Sequence, residues 1–338
     1  MTLSVVKINI YRFFMREILL KFPTLARIKL MNDQVIAVLI PCYNEEATIG
    51  QTVRDFRAAL PEAQVYVYDN NSRDRTIEAA RDAGAIVRQE PLQGKGNVLR
   101  RMFADIEADI YLITDGDATY DAASAPSMIK LLQSEQLDMV NGMRVSDAIA
   151  AYRPGHRFGN ALFTGIIAML FGNRFQDILS GYRVFSRRFV KSFPALSTGF
   201  EIETELTVHA LELRMPVMEL QTPYNERPEG SVSKLNTWRD GFRILCMIIK
   251  LTKRGRPLFF FSVIGAVLAL MAVVISIPLL HTYLQTGLVP RFPTAILATG
   301  IMVMAMLSVT AGMILDTVTT GRLEMKRMMY LNVRKHEK

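Results

Sequence analysis

The sequence predicts an α/β domain on a mainly parallel sheet, fringed by helices that lie at a membrane surface and followed by two C-terminal transmembrane helices. Three observations carry this. From Val35 onward short apolar runs alternate with helical patterns, as in βαβ units. Polar loops follow the first, second and fourth of these runs, at 41–46, 69–74 and 115–120. No Asp, Glu, Lys or Arg occurs between Arg256 and Arg291, or between Arg291 and Asp316.

Residues 1–33 interleave Lys7, Arg12, Arg16, Lys21, Arg27 and Lys29 with Ile, Leu and Phe. The charges recur too often for a signal peptide or a span, so this segment reads as an amphipathic interfacial helix. Residues 34–236 form the α/β domain. Strands are expected at Val35–Ile40, Val65–Tyr68, Ala85–Arg88, Ile110–Thr114 and Met139–Met143, and helices at Ala47–Leu60, Arg75–Ala83 and Asn97–Ile106. Ligands of open α/β sheets sit beyond the carboxyl ends of strands, so the three polar loops converge on one crevice. Phe158–Phe171 is apolar but too short to span, and reads as a helix resting on the membrane or, equally, as a core helix. Residues 237–256 mix six basic residues with Trp238 and aliphatics, as a juxtamembrane interfacial helix does. Residues 257–316 form a transmembrane hairpin with spans near 258–280 and 294–315, each reaching the ~20 residues a bilayer core requires. Residues 317–338 form a basic tail.

Lys250, Lys253, Arg254 and Arg256 precede the first span, and Arg322, Lys326 and Arg327 follow the second, while the connection between spans holds one Arg. The positive-inside rule places both flanks in the cytoplasm, as for an integral protein of a bacterial inner membrane. The net charge of +8 clusters beside apolar runs. It therefore reads as attraction to anionic headgroups, with no nucleic-acid partner. The two cysteines, Cys42 and Cys246, have no metal-ligand spacing and fit a reducing compartment.

Asp115-Gly-Asp117 is the sharpest local signal. Two carboxylates one residue apart at a strand terminus suit Mg²⁺ or Mn²⁺, which take oxygen ligands and share them with substrate phosphates. Gln93-Gly-Lys-Gly96 lacks the first glycine and the hydroxyl of a P-loop, and no G-x-G-x-x-G follows the first strand, which argues against an ATPase or a dehydrogenase.

Together, Val38-Leu-Ile-Pro-Cys-Tyr-Asn-Glu-Glu46, Asp69-Asn-Asn-Ser-Arg-Asp74, Gly94-Lys-Gly96 and Asp115-Gly-Asp117 resemble the nucleotide-sugar domain of family 2 glycosyltransferases, which have the Rossmann-like GT-A fold. Gly142-Met-Arg144, Asp177-Ile-Leu-Ser-Gly-Tyr-Arg183 and Arg227-Pro-Glu-Gly-Ser-Val-Ser-Lys-Leu235 resemble the polyprenyl-phosphate branch, which includes dolichyl-phosphate mannose synthases and GtrB-like enzymes. The resemblance covers about residues 35–250. It implies that Pro41, Tyr43 and Glu45 line the nucleoside pocket, that Asp69 reads the base, that Lys95 and Gly116 sit near the nucleotide, and that Asp115 and Asp117 hold the metal. Where the mannose synthase pattern places a metal-binding Gln, this chain has Thr119.

On the acceptor side the resemblance implies that Arg144 and Arg157 clamp the lipid phosphate, with Arg183, Ser231, Ser233 and Lys234 nearby. A lipid phosphate is anionic at neutral pH, so it needs cations to align it and no base to activate it. Asp177 would orient acceptor or sugar, and ranks above Glu201 and Glu203, which read equally as helix-terminal carboxylates. The expected activity is transfer of one sugar, with inversion, from a nucleotide-diphosphate sugar to undecaprenyl or dolichyl phosphate. The partners are these two substrates and the lipid bilayer; a homo-oligomer is compatible with this plan. The alternatives are a family 2 transferase acting on another lipid or a growing polysaccharide, for which the Q-x-x-R-W signature is missing, and a catalytically silent scaffold.

Overall fold

The computed structural model describes residues 34–145, 175–199, 201–225, 249–250 and 252–333. The interfacial segment 1–33, the helix expected at Phe158–Phe171 and most of the juxtamembrane segment lie outside them, as do Arg157, Ser231, Ser233 and Lys234.

The first elements follow the expected order: β1 (Ile36–Cys42), α1 (Ile49–Ala59), β2 (Gln64–Asp69), α2 (Thr76–Asp82), β3 (Ile86–Gln89), α3 (Lys95–Asp105) and β4 (Ile110–Ile113). A 3-10 turn at Ala122–Ser124 leads into α4 (Ala125–Ser134) and β5 (Met139–Val145). Then come β6 (Arg183–Ser186), α5 (Arg187–Ser192), α6 (Ile202–Glu212) and β7 (Val217–Pro223). The chain closes on two long helices, α7 (Pro257–Thr286) and α8 (Phe292–Asn332).

The strands form a seven-stranded sheet in the order β3-β2-β1-β4-β6-β5-β7. β1 to β4 are mutually parallel, β6 runs antiparallel to both neighbours, and β7 pairs parallel with β5. Successive strand residues point to opposite faces, so Val38 and Ile40 of β1 enter one core while Ala37 and Leu39 enter the other. The first core includes Ile49, Val53 and Phe56 of α1, one face at helical spacing. The second is closed by α3, α5 and α6 through Leu99, Phe103, Phe189 and Leu206.

This topology gathers the functional loops. β1, β2 and β4 end at one sheet edge, and so does β5, because it is antiparallel to β6. β6 starts at that edge, with Arg183 opposite Ile113, so the 176–182 loop arrives there too.

α7 and α8 are long and apolar enough to cross a membrane. They pack on each other through small residues: a Cβ on Gly265 would lie 3.0 Å from the Ala305 carbonyl oxygen, and one on Gly312 would lie 2.9 Å from Phe261. Small residues let helix backbones approach closely. Leu270, Ile277, Met306 and Ile314 remain exposed, a contiguous apolar surface of the kind that marks an interaction site.

The stretch 317–332, expected as a tail, is instead a continuation of α8. Its 41 residues extend about 60 Å at ~1.5 Å each, twice the hydrocarbon thickness. The far end docks on the α/β domain. Lys326 pairs with Glu212 at 2.8 Å, Arg327 donates to the Leu213 carbonyl at 2.6 Å, and the Tyr330 hydroxyl donates to Asp138 at 2.6 Å. The Tyr330 ring is buried in the second core, with the Arg188 guanidinium 4.2 Å above it.

Candidate active site

The first two loops clasp each other. The Asn44 amide donates to Ser72 Oγ at 2.8 Å, the Glu45 amide donates to Thr76 Oγ1 at 2.9 Å, and the Asn44 side-chain oxygen accepts from the Arg73 amide at 2.8 Å. Asn44 and Asn71 adopt positive φ (54° and 65°), a conformation that asparagine tolerates and tight loops require. Tyr43 and Glu45 lie on the first loop beside Asp69, and Pro41 sits on β1 in register with Tyr68.

Asp69 is 1% exposed. Its Oδ2 accepts the Ser72 amide at 3.1 Å, while its Oδ1 is buried without a hydrogen-bond partner. A buried carboxylate oxygen left without a donor is costly, and this one retains its accepting capacity. Asn70 ties in the third loop: its side-chain oxygen accepts from the Gly94 amide at 2.6 Å, and its amide group donates to the Glu90 and Leu92 carbonyls.

At the end of β4 the two aspartates have different settings. Asp115 takes the Lys95 ammonium at 2.5 Å, and Lys95 also donates to Glu203 at 2.6 Å. Burial pulls the Lys95 pKa down, but the Asp115 and Glu203 carboxylates outweigh it and keep the amine charged beyond the ordinary lysine range. Asp117 is 5% exposed and accepts from the Thr119 hydroxyl at 2.6 Å. Thr119 is therefore a partner of the carboxylate, and Ala118 makes the turn between them at φ 56°. Gly116 packs against β1: a Cβ there would lie 2.7 Å from Cys42 Sγ, and its carbonyl accepts from Thr48 Oγ1 at 2.8 Å. This close packing holds the aspartate loop to the first strand.

At the end of β5 Arg144 forms a two-pronged ion pair with Asp177, Nε to Oδ2 at 2.7 Å and Nη2 to Oδ1 at 2.8 Å. Fork geometry of this kind fixes the guanidinium plane. Burial opposes the charge on Arg144, and the Asp177 hydrogen bonds more than restore it. The Tyr224 ring lies under the guanidinium at 5.5 Å. Asp177 is held by Glu219, which accepts its amide at 3.2 Å and that of Gln176 at 2.7 Å.

Arg183 does not join the acceptor side as expected. It is 1% exposed, and its guanidinium donates to the carbonyls of Ser180 and Ile178 and to Thr207 Oγ1. Desolvation lowers its pKa from the ordinary arginine value. Its donors are spent on the 176–182 loop and on Thr207 of α6, so it braces that loop against the helix. Glu203, ranked below Asp177 from sequence, is the second partner of Lys95, while Glu219, Tyr120 and Tyr224 carried no signal as site residues in the sequence. Tyr120 accepts the Gly181 amide at 2.8 Å and packs against Tyr182 and Tyr224.

Among the described residues no group of three or more His, Cys, Asp or Glu is arranged to hold a metal by protein ligands alone. The donor set still fits a hard divalent cation that draws part of its shell from a diphosphate: two carboxylates one residue apart, one already facing a buried cation.

The glycosyl transferase family 2 model matches residues 37–193. Glycosyltransferase AglJ of Haloferax volcanii is 37% identical over 240 residues, covering 69% of this chain and 77% of that protein. The chain belongs to glycosyl transferase family 2. Within the family, a dolichyl-phosphate hexose transferase of Haloferax volcanii is 29% identical over 224 residues, covering 65% of this chain and 95% of that one. Among solved structures, glucosyl-3-phosphoglycerate synthase from Mycobacterium tuberculosis, crystallised with Mn²⁺ and UDP-glucose, superposes with a TM-score of 0.54 at 22% identity, covering 66% of this chain and 79% of that one. That likeness shows the GT-A fold. The family 2 match places the matched segment across the loops that hold Asp69, Lys95, Asp115, Asp117, Arg144 and Asp177.

Proposed function

We propose that this family 2 glycosyltransferase moves one sugar, with inversion, from a nucleotide-diphosphate sugar to a polyprenyl phosphate at the cytoplasmic face of a membrane. The observation that carries the reading is the Arg144–Asp177 pair, a fixed guanidinium at the sheet edge where the strand before Asp115 and Asp117 also ends. The helices α7 and α8 support it, since they bring an acceptor site and a bilayer together on one chain. The dolichyl-phosphate hexose transferase relative adds support for the acceptor class.

In this reading the free oxygen of Asp69 accepts an N–H from the base, and Lys95 lies beside the diphosphate. Asp115 and Asp117 would hold Mg²⁺ or Mn²⁺, which would supply positive charge against the departing diphosphate. Arg144 holds the acceptor phosphate in line with the anomeric carbon. The phosphate is already a competent nucleophile, so no general base is assigned. Arg157, Ser231, Ser233 and Lys234 belong to this acceptor side by their motifs.

The test is purified protein with Mg²⁺ or Mn²⁺, a panel of radiolabelled nucleotide sugars, and undecaprenyl or dolichyl phosphate. One donor is expected to give label in the organic phase, lost in Asp117→Asn. No organic-phase label with any donor, or a fully active Asp117→Asn, overturns the reading.

A further inference from the structure

The Lys95 ammonium lies between two carboxylates of unequal access. Its own side chain is 8% exposed, that of Glu203 13% and that of Asp115 31%. The backbone beneath it is fixed. The Gly96 amide donates to the Thr198 carbonyl at 3.1 Å, and a Cβ on Gly94 or Gly96 would lie 2.2 Å from a carbonyl oxygen of Thr198 or Ser197. Glu205, two residues beyond Glu203 on α6, accepts the Leu196 and Ser197 amides at 2.9 and 2.7 Å. One helix thus anchors both the floor under the Gly-Lys-Gly turn and the lysine that rises from it. On the opposite side Gly181 closes on Asp115: a Cβ there would lie 2.7 Å from Oδ2 and 3.2 Å from Lys95 Nζ.

We propose that Glu203 is a positioning residue that retains Lys95 as an exchangeable counter-cation for Asp115. Lys95 neutralises Asp115 in the resting protein and yields it to an incoming divalent cation. Because Glu203 still holds it, the ammonium then stays charged within reach of the donor diphosphate instead of leaving the crevice. Sequence gives no hint of the pairing, since Lys95 and Glu203 are 108 residues apart. The inference rests on the proposed metal role of Asp115 and Asp117, and is independent of which acceptor or sugar is used.

The test is Mn²⁺ binding to the full-length, detergent-solubilised protein without nucleotide, read by electron paramagnetic resonance of free Mn²⁺. Lys95→Met removes the competitor and is expected to tighten Mn²⁺ by about fivefold or more. Glu203→Gln removes a negative charge that shares Lys95 with Asp115, so binding should weaken by about fivefold or more. The double variant should return to within about threefold of wild type, because it removes one charge of each sign. A purely structural role for Glu203 would not produce opposite shifts that cancel. Mn²⁺ affinity unchanged in both single variants, or lowered in both, overturns the proposal. If Glu203→Gln does not fold, Lys95→Met decides alone: tighter binding supports the proposal, and unchanged or weaker binding refutes it. Asp117→Asn separates the two layers. If it weakens Mn²⁺ while the charge variants do nothing, only this inference falls; if it leaves Mn²⁺ binding intact, or wild type binds none, the metal reading falls and this inference with it.

Discussion

Replacing Asp177 with Asn keeps the side chain's shape and removes its charge, which isolates what the carboxylate does for Arg144. In the native site the guanidinium donates to both Asp177 oxygens at 2.7 and 2.8 Å, and the Arg144 amide adds a third contact at 3.3 Å. The Asp177 side chain is 8% exposed and that of Arg144 is 20% exposed. Breaking a buried pair from one side costs about 3–5 kcal/mol, because the surviving charge is left uncompensated. A fifth of Arg144 still meets solvent, so the lower end applies, about 3 kcal/mol. For a domain of this size that lowers the melting temperature by roughly 6–12 °C. The assay is thermal unfolding of wild type, Asp177→Asn, Arg144→Met and the double variant in one detergent. A coupling energy of at least about 1.5 kcal/mol is expected, with the double variant more stable than the two single losses added together. Asp177→Asn within about 0.5 kcal/mol of wild type, or strict additivity, would refute the claim that this pair is a buried clamp.

Three further outcomes follow from single observations. Gly96→Ala places a methyl 2.2 Å from a backbone oxygen, so it should destabilise by about 1–3 kcal/mol and weaken nucleotide binding, whereas Gly300→Ala, with nothing within 4 Å, should be neutral in the same melts. Tyr330→Ala removes a buried ring, its cation–π partner and a hydrogen bond to Asp138, and should cost about 3 kcal/mol and open 317–333 to limited proteolysis; unchanged proteolysis would show that α8 is not docked. His209 is buried with its Nδ1 unpartnered, and burial lowers its pKa to about 3. The unfolded chain therefore binds the proton first: this stability is complete above the unfolded pKa of about 6.5 and declines as pH falls toward 3. Wild type should lose up to about 2 kcal/mol more than His209→Gln between pH 6.5 and 5, and parallel pH profiles in urea melts would contradict this.

The parallel half of the sheet was legible because β1 to β4 are short apolar runs closed by polar turns, and each helix between them has an apolar face at helical spacing. β6 and β7 were not. Arg183-Val-Phe-Ser is only four residues long, and Val217–Pro223 mixes polar and apolar positions, so neither announces a strand until the pairing with β5 is known. The aspartates, Lys95, Arg144 and Asp177 could be named as candidates because each lies in a local motif. Arg183 was misplaced because a motif does not tell a solvent-facing guanidinium from one whose donors end on loop carbonyls. Glu203 and Glu219 gain their roles from partners on other elements, at separations no local pattern reports. The extension of α8 read as a basic tail because Arg322, Lys326 and Arg327 lie in it; two of these three are spent on Glu212 and Leu213 in docking the helix.

The most direct test of the proposed acceptor is an acceptor competition with the accepted donor sugar, reading product in the organic phase by mass spectrometry. Polyprenyl phosphate, polyprenol and a soluble oligosaccharide are offered together. The expected product is one hexose joined through a single phosphate to the polyprenyl chain, with Arg144→Ala reducing it at least about 100-fold while nucleotide binding survives. Sugar appearing on the polyprenol or the oligosaccharide instead, or an Arg144→Ala variant with undiminished product, would contradict the assignment of the crevice to an anionic lipid acceptor.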